Sequence, residues 1–215
     1  KRTNKSPKKE VDIRRVLEDK GVDRVLCAAP DHWHAPAALM TMKAGKAIYV
    51  EKPVSHNPHE GEMLVAASAK YGAVFQMGSQ RRSSTVYQNV IKEIRAGLIG
   101  EPRFARCWYA TQRMPIGKGN KTAVPEWLNW DLWQGPAPRR EFKDNLVPYT
   151  WHWFHHWGTG ECGNNATHYV DVARWALNVT FPSRVTSAGG RLFYEGDDWE
   201  WFDTQAATFE FPGRK

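Results

Sequence analysis

Apolar positions in the first 80 residues alternate between two periods. Residues 10–20 (EVDIRRVLEDK) set Val11, Ile13, Val16 and Leu17 on one helical stripe, with Gly21 as a C-terminal stop. The short apolar run from Arg24 to Ala29 ends at Pro30 and predicts a buried strand. A helix is predicted from about Ala35, with Pro36 in its first turn and Gly45 closing it, and AIYV then reads as a second strand. A third helix has a readable start: Asn57 as N-cap, Pro58 at N1 and Glu60 at N3, resembling a capping box. AVFQMG supplies a third strand. Strands alternating with helices at this spacing predict βαβ units and a parallel sheet.

Beyond Arg81 the pattern changes. SSTVYQNVIKEIRAGLIG predicts a helix closed by Gly97 or Gly100, and PRFARCWYATQ begins an alternating, antiparallel-looking pattern. Residues 113–163 are rich in Gly, Pro and Trp with weak periodicity, which reads as a functional loop or an ordered excursion. Asn165–Leu177 returns to helical spacing, and SRVTSAGGRLFY and DTQAATFEFPG read as strands. A boundary near residues 78–84 divides the chain into a parallel α/β part, 1–80, and an α+β part, 81–215, with an open and mainly antiparallel sheet. No internal repeat or low-complexity segment occurs.

Composition narrows the class. At 215 residues, with 41% hydrophobic and 25% charged positions, the chain has the balance of a globular protein able to bury a core. It contains no run of about 18 apolar residues and no apolar segment near its start, so neither a membrane partner nor a signal peptide is read in it. The net charge of +7 is largely local, because residues 1–9 hold five Lys and Arg and no acid, and the remainder carries +2. A nucleic-acid partner is therefore not expected. Cys27, Cys107 and Cys162 are too few and too widely spaced for a disulfide framework. Seven of the eleven Trp lie between Trp127 and Trp175, a clustering that composition does not explain.

Ligand sites in open parallel sheets lie beyond the carboxyl ends of the strands. That rule selects Pro30-Asp31-His32-Trp33-His34, Glu51-Lys52-Pro53 and Gly78-Ser79-Gln80-Arg81. A lysine held at such an end and partly desolvated has its pKa lowered toward the range useful for proton transfer, although a surface Lys paired with Glu51 fits the tripeptide equally well. The second feature is Gly160–Asp171. On a helix Asn164 and His168 are i and i+4, and His168 and Asp171 are i and i+3, so all three share a face, with upstream glycines allowing close backbone approach to a ligand. For that helix alone, a packed His with Asp171 bonded to backbone is the simpler reading. Stacking on sugar faces is one use for the tryptophans, but core packing and subunit contact account better for most, with Tyr149 and Trp153 expected in a substrate cleft and Arg81 as a further substrate contact. His152, His155, His156, Cys162 and His168 fall within seventeen residues, yet neither HExxH nor a CxxC pair is present, and no metal is expected.

Asp31-His32-Trp33-His34, Ala44-Gly45-Lys46, Val50-Glu51-Lys52-Pro53, the run Trp130–Pro138 and the GxGxxGNxxxHxxD stretch of residues 158–171 occur in that order. Together they closely resemble the glucose-fructose oxidoreductase, inositol dehydrogenase and MocA family of NAD(P)-dependent sugar oxidoreductases. The resemblance implies a Rossmann domain, a doubly wound parallel sheet, followed by an α+β domain bearing the substrate site and oligomer contacts. Pro30, Asp31, His32 and His34 would border the nicotinamide end of NAD or NADP, with Glu51 and Lys52 beside it. Lys52 and His168 would be the catalytic residues, and Arg81, Tyr149, Trp153, Asn164 and His168 would meet a sugar or polyol. Many members carry Asp where this chain has Asn164. An amide is no base, which leaves proton transfer to Lys52 and His168. The family's glycine-rich turn and its acidic partner precede these segments, and the only glycines in the first 50 residues are Gly21 and Gly45. The resemblance thus implies a chain cut at both ends that on its own binds NAD poorly and is inactive, from a protein that is cytoplasmic by default, with an export signal still possible upstream. Some relatives are glycoside hydrolases that oxidise a hydroxyl transiently with bound NAD, and this is the alternative activity.

Overall fold

The computed structural model describes residues 6–213. Residues 1–5 of the basic N-terminal run, and the last two residues, lie outside the described region. Helix α1 (Ile13–Glu18) is capped by the Asp12 side chain, which accepts from Arg14 N–H. Three parallel strands follow, β1 (Arg24–Cys27), β2 (Ala47–Val50) and β3 (Phe75–Met77), in the order β1-β2-β3. The registers pair Val25 with Ile48 and Val50 with Met77.

Helices α2 (Asp31–Lys43) and α3 (Pro58–Tyr71) are the two crossovers and lie together on one face of the sheet, as right-handed βαβ connections require. Cys27, Ile48 and Val50 meet Ala35, Ala38, Met42, Leu64 and Ala67 there to form the first core cluster. The opposite face is uncovered among the described residues, where Leu26 is 69% exposed.

One helix start differs from expectation, and one capping box closes differently. Helix α2 begins four residues earlier than predicted, so Asp31-His32-Trp33-His34 is its first turn and Pro36 lies inside it. An internal proline costs a helix roughly 3 kcal/mol. Here the first turn is instead held by tertiary hydrogen bonds from the side chains of Asp31, His32, Trp33 and His34. In α3 the side chain of Asn57 accepts from Glu60 N–H as predicted, but Glu60 returns to the N–H of His56 rather than to that of the cap residue.

The second part opens with α4 (Gln80–Ser83) and α5 (Thr85–Arg95), the latter closed at Gly97 with φ +94°. The predicted strand at PRFARCWYATQ is not formed: residues 102–112 pair with no strand among the described residues, and Phe104 and Trp108 stand exposed. Alternation alone does not make a strand without a ladder partner. The excursion 113–163 is ordered around α6 (Trp130–Gln134) and a 3₁₀ turn at Thr150–Trp153. Two aromatic cores hold it. Trp130 and Trp133 stack at 4.9 Å with Trp157 edge-on to both, and Trp153 stacks on Trp199 at 3.9 Å and 7°. A π-helical turn, Cys162–Ala166, leads into α7 (Thr167–Leu177), and β4 (Arg184–Gly190) pairs antiparallel with β5 (Thr204–Glu210). The chain is thus an α/β fold with a parallel Rossmann-like sheet followed by an α/β part with an antiparallel pair.

Candidate active site

Lys52 sits just past the carboxyl end of β2, where the Lys52–Pro53 peptide is cis. Its Nζ donates to both oxygens of Asn164, at 2.6 Å to the backbone carbonyl and 2.8 Å to Oδ1. Burial lowers the Lys52 pKa below its ordinary value, and the carboxylates of Asp31, Glu51 and Glu161 only partly oppose this. Asn164 is itself buried, inside the π turn in which Thr167 N–H reaches back five residues to the Cys162 carbonyl. Such single wide turns recur at functional sites because the extra residue redirects a side chain.

His168 lies in the first turn of α7, and its ring makes no hydrogen bond among the described residues. Burial lowers its pKa, reinforced by the positive charges of Lys52 and Arg81, so the ring is neutral near pH 7. Asp171 does not join this group as expected. It takes a bidentate ion pair from Arg82, at 2.8 and 2.9 Å, which ties α4 to α7. Arg81 lies 4.1 Å over the Tyr169 ring and donates to the Tyr87 hydroxyl at 3.3 Å. On the other side of Asn164, Glu161 bridges Arg113 Nε (2.5 Å) and Asn165 Nδ2 (2.6 Å) and so braces the π turn.

The side chains of the Asp31–His34 segment, expected to border a cofactor, are engaged within the chain. Asp31 is 3% exposed and accepts from the N–H and hydroxyl of Thr159, at 3.1 and 2.6 Å. His32 Nε2 donates to the Trp133 carbonyl at 2.8 Å, and Trp33 Nε1 to the carbonyls of Leu132 and Trp133, both at 3.0 Å. These are carbonyls of the last turn of α6, that of Leu132 also accepting from the cap N–H of Gly135. His34 Nδ1 donates to the Pro53 carbonyl at 2.5 Å, directly behind Lys52. Asp31 and His32 join the parallel sheet to the second part of the chain, while His34 holds the segment that follows Lys52 within the first part, and together they fix Lys52 against Asn164. Pro30 caps α2 and lines a cavity of about 300 Å³ at the carboxyl end of β1.

The glycines of residues 158–163 serve internal packing rather than approach to a ligand. A side chain at Gly158 would collide with the His152 backbone, one at Gly163 with Thr159, and one at Gly160 would lie 2.8 Å from the Trp201 ring. Trp153, expected in the cleft, is 2% exposed within the Trp199 stack. Tyr149 is half exposed and lines the 300 Å³ cavity with Trp127, Trp133, Trp151 and His152. Arg113 and Glu161 drew no attention in the sequence: Glu161 lies inside the glycine stretch, but its partner is 48 residues away. The five candidate metal ligands do not converge, and among the described residues no group of three His, Cys, Asp or Glu is able to hold a metal ion.

Comparison with known proteins fits this arrangement. Residues 4–79 match the model of the Gfo/Idh/MocA oxidoreductase family, NAD-binding Rossmann fold, and residues 85–188 match that family's C-terminal alpha/beta domain. The scyllo-inositol 2-dehydrogenase (NAD(+)) of Bacillus subtilis is 31% identical over 100 residues, covering 46% of this chain and 29% of the relative. Levoglucosan dehydrogenase of Pseudarthrobacter phenanthrenivorans is 24% identical over 194 residues, covering 83% and 42%. Among solved structures, an oxidoreductase domain protein from Kribbella flavida superposes with a TM-score of 0.66 at 21% identity, covering 95% of this chain and 49% of that one. Aldose-aldose oxidoreductase from Caulobacter crescentus gives 0.63 at 20% identity, covering 94% and 50%. The chain spans from under a third to about half the length of these relatives. With both parts matched in order, the chain belongs to the Gfo/Idh/MocA oxidoreductase family.

Proposed function

We propose that the chain carries the hydride-transfer site of an NAD(P)-dependent dehydrogenase acting on a hydroxyl of a sugar, cyclitol or related polyol. The observation that carries this reading is the double hydrogen bond from Lys52 Nζ to Asn164 beside a neutral His168. In its neutral form the amine keeps two N–H bonds, one to each Asn164 oxygen. Its lone pair then points along a remaining tetrahedral direction, free to take a proton from a substrate hydroxyl. Among the described residues no carboxylate bonds directly to Nζ, so the ammonium form is not over-stabilised and the proton is released again. His168, neutral and without a hydrogen-bond partner among the described residues, is the second group able to exchange that proton. Arg81 and Tyr149 are assigned to substrate contact.

The residues fit the nicotinamide end of NAD or NADP. The Glu51 carboxylate makes no hydrogen bond among the described residues and lies in the slot left by Gly78, whose missing side chain would sit 2.9 Å from Glu51 Oε2. That acceptor suits the amide or ribose hydroxyl donors of the nucleoside. When bound, the nicotinamide supplies the hydride acceptor. Gly21 and Gly45 lie before the amino ends of β1 and β2, on the wrong side of the sheet to cradle a pyrophosphate. Residues 1–80 are assigned to the cofactor side and 81–215 to substrate and subunit contact, the latter on the exposed β4–β5 pair. Among the described residues no helix is long and apolar enough to cross a membrane. The relatives above are named as dehydrogenases and an oxidoreductase, which supports the dehydrogenase over a hydrolase.

The test is product analysis of the protein carrying this chain, incubated with NAD or NADP and a panel containing scyllo-inositol, levoglucosan and an aryl glycoside. Net formation of reduced cofactor is expected. Aglycone release with no net reduction would overturn the assignment.

A further inference from the structure

The 300 Å³ cavity at the carboxyl end of β1 is lined by Ala28, Pro30 and a nearly continuous aromatic wall that includes Trp127, Trp133, Tyr149 and Trp151. That volume is at the lower end for small-ligand pockets and suits one ring rather than a chain. The wall contains one imidazole, His152. Its Nδ1 lies 2.5 Å from the Tyr149 carbonyl, which only accepts, so the hydrogen sits on Nδ1 and Nε2 carries the lone pair of the neutral ring. Nε2 has no partner among the described residues. Trp151, stacked at 3.6 Å and 21°, and the Tyr149 ring at 4.4 Å fix the imidazole plane. The charges facing it are Asp31 and Glu161, which favour protonation, and Lys52, which opposes it; burial is the largest influence and keeps the ring neutral. Lys52 does not line the cavity, but Ala28 and Pro30 of its wall follow β1 while Lys52 follows β2, the strand paired with β1 through Cys27 and Val50, so the cavity and the proposed proton-transfer group lie at the same end of the sheet.

We propose that this cavity seats the six-membered ring of the polyol substrate, with His152 Nε2 accepting from a ring hydroxyl and Tyr149 and Trp127 offering faces to its C–H side. Trp127 and Tyr149, 72% and 47% exposed, present aromatic surface where apolar burial and one oriented hydrogen bond together recognise a sugar. The inference rests on the polyol reading above and adds the residue that orients the ring. It makes His152 a substrate-contacting residue distinct from Lys52 and His168.

The experiment is a titration of intrinsic tryptophan fluorescence with scyllo-inositol and with levoglucosan, without cofactor, in the protein carrying this chain. Three of the cavity's tryptophans report occupancy directly. His152→Asn keeps a donor for the Tyr149 carbonyl and removes the Nε2 acceptor, whereas His152→Gln returns an acceptor at the Nε2 position. Saturable quenching is expected in the parent protein, with Kd raised about tenfold in His152→Asn, the loss of one oriented hydrogen bond, and largely restored in His152→Gln. Binding is also expected to weaken as pH falls below the ordinary histidine range, when Nε2 becomes protonated. Near-ultraviolet circular dichroism of both variants verifies that the aromatic packing is intact.

Unchanged affinity in a folded His152→Asn protein overturns the inference. So does quenching by reduced nicotinamide mononucleotide but by neither polyol, which would make the cavity part of the cofactor site. The two proposals separate cleanly. Reduced-cofactor formation with an unchanged KM in His152→Asn removes the cavity assignment and leaves the dehydrogenase reading, whereas polyol binding that needs His152 without any reduced cofactor does the reverse.

Discussion

Asn164 offers both of its oxygens to one group: Lys52 Nζ lies 2.6 Å from its carbonyl and 2.8 Å from Oδ1. The two residues are 112 positions apart, one at a strand end of the parallel sheet and one in a π turn before α7. Everything that fixes their separation is therefore part of the site. That includes the Asp31–Thr159 pair, the His34–Pro53 bond and the Arg113–Glu161–Asn165 bridge.

Replacing the proton-transfer group should be severe. Lys52→Met is expected to lower kcat by about 10²- to 10⁴-fold, the range for a positioned acid–base group, while cofactor affinity changes little. In the parent protein, kcat/KM for polyol oxidation is expected to rise with pH as the ammonium loses its proton, and to level off below the ordinary lysine pKa, because burial lowers that value. A pH–rate profile measures both.

Asn164→Asp places a negative charge against the ammonium. The Lys52 pKa is then raised, and the rising limb of the oxidation profile is expected to move up by roughly one to two pH units. A limb that stays in place would show that Lys52 is not the group titrating in the rate.

His32 gives a stability prediction with a definite sign. Burial lowers its pKa to about 4, against an ordinary value of 6.5. Above about pH 6.5 both folded and unfolded chains carry it neutral. As pH falls toward 4 the unfolded chain binds the proton first, so native stability is lost across that window, by roughly 3 kcal/mol in all. Urea unfolding at several pH values, in the parent protein and in His32→Gln, should show the variant losing much less of its stability between those limits.

Gly158→Ala and Gly163→Ala are expected to destabilise unequally. The new methyl at 158 meets the fixed backbone of His152, whereas that at 163 meets the Thr159 side chain, which has some freedom to rotate. Overpacking costs about 1–3 kcal/mol, with Gly158→Ala at or beyond the upper end. Thermal melts of the two variants rank them.

Local signals in the sequence were read well where the physics is local. Asn57-Pro58 at a helix start, Gly45 and Gly97 at helix ends, and Lys52 at a strand end all follow from residues a few positions apart. What the sequence did not show are the long-range partners. His32 and the neighbouring Trp33 donate to carbonyls about 100 residues away, partners that local spacing does not reveal. Trp153 looks like a sugar platform, but Trp199 covers its face. Asp171 shares helical spacing with His168 but is drawn off by Arg82 from another helix. The early start of α2 has the same origin, since contacts from the second part of the chain outweigh the penalty of Pro36.

The most direct measurement is isotopic. A polyol deuterated at its carbinol carbon, a substrate from the panel above, is incubated with the protein carrying this chain and oxidised cofactor, and the recovered nicotinamide is weighed by mass spectrometry. One deuterium transferred to the nicotinamide, at a rate that collapses in Lys52→Met, is the expected result. Deuterium transfer that proceeds undiminished in Lys52→Met, or turnover of the polyol with no deuterium in the nicotinamide, would contradict the assignment of Lys52 and Asn164 as the hydride-transfer site.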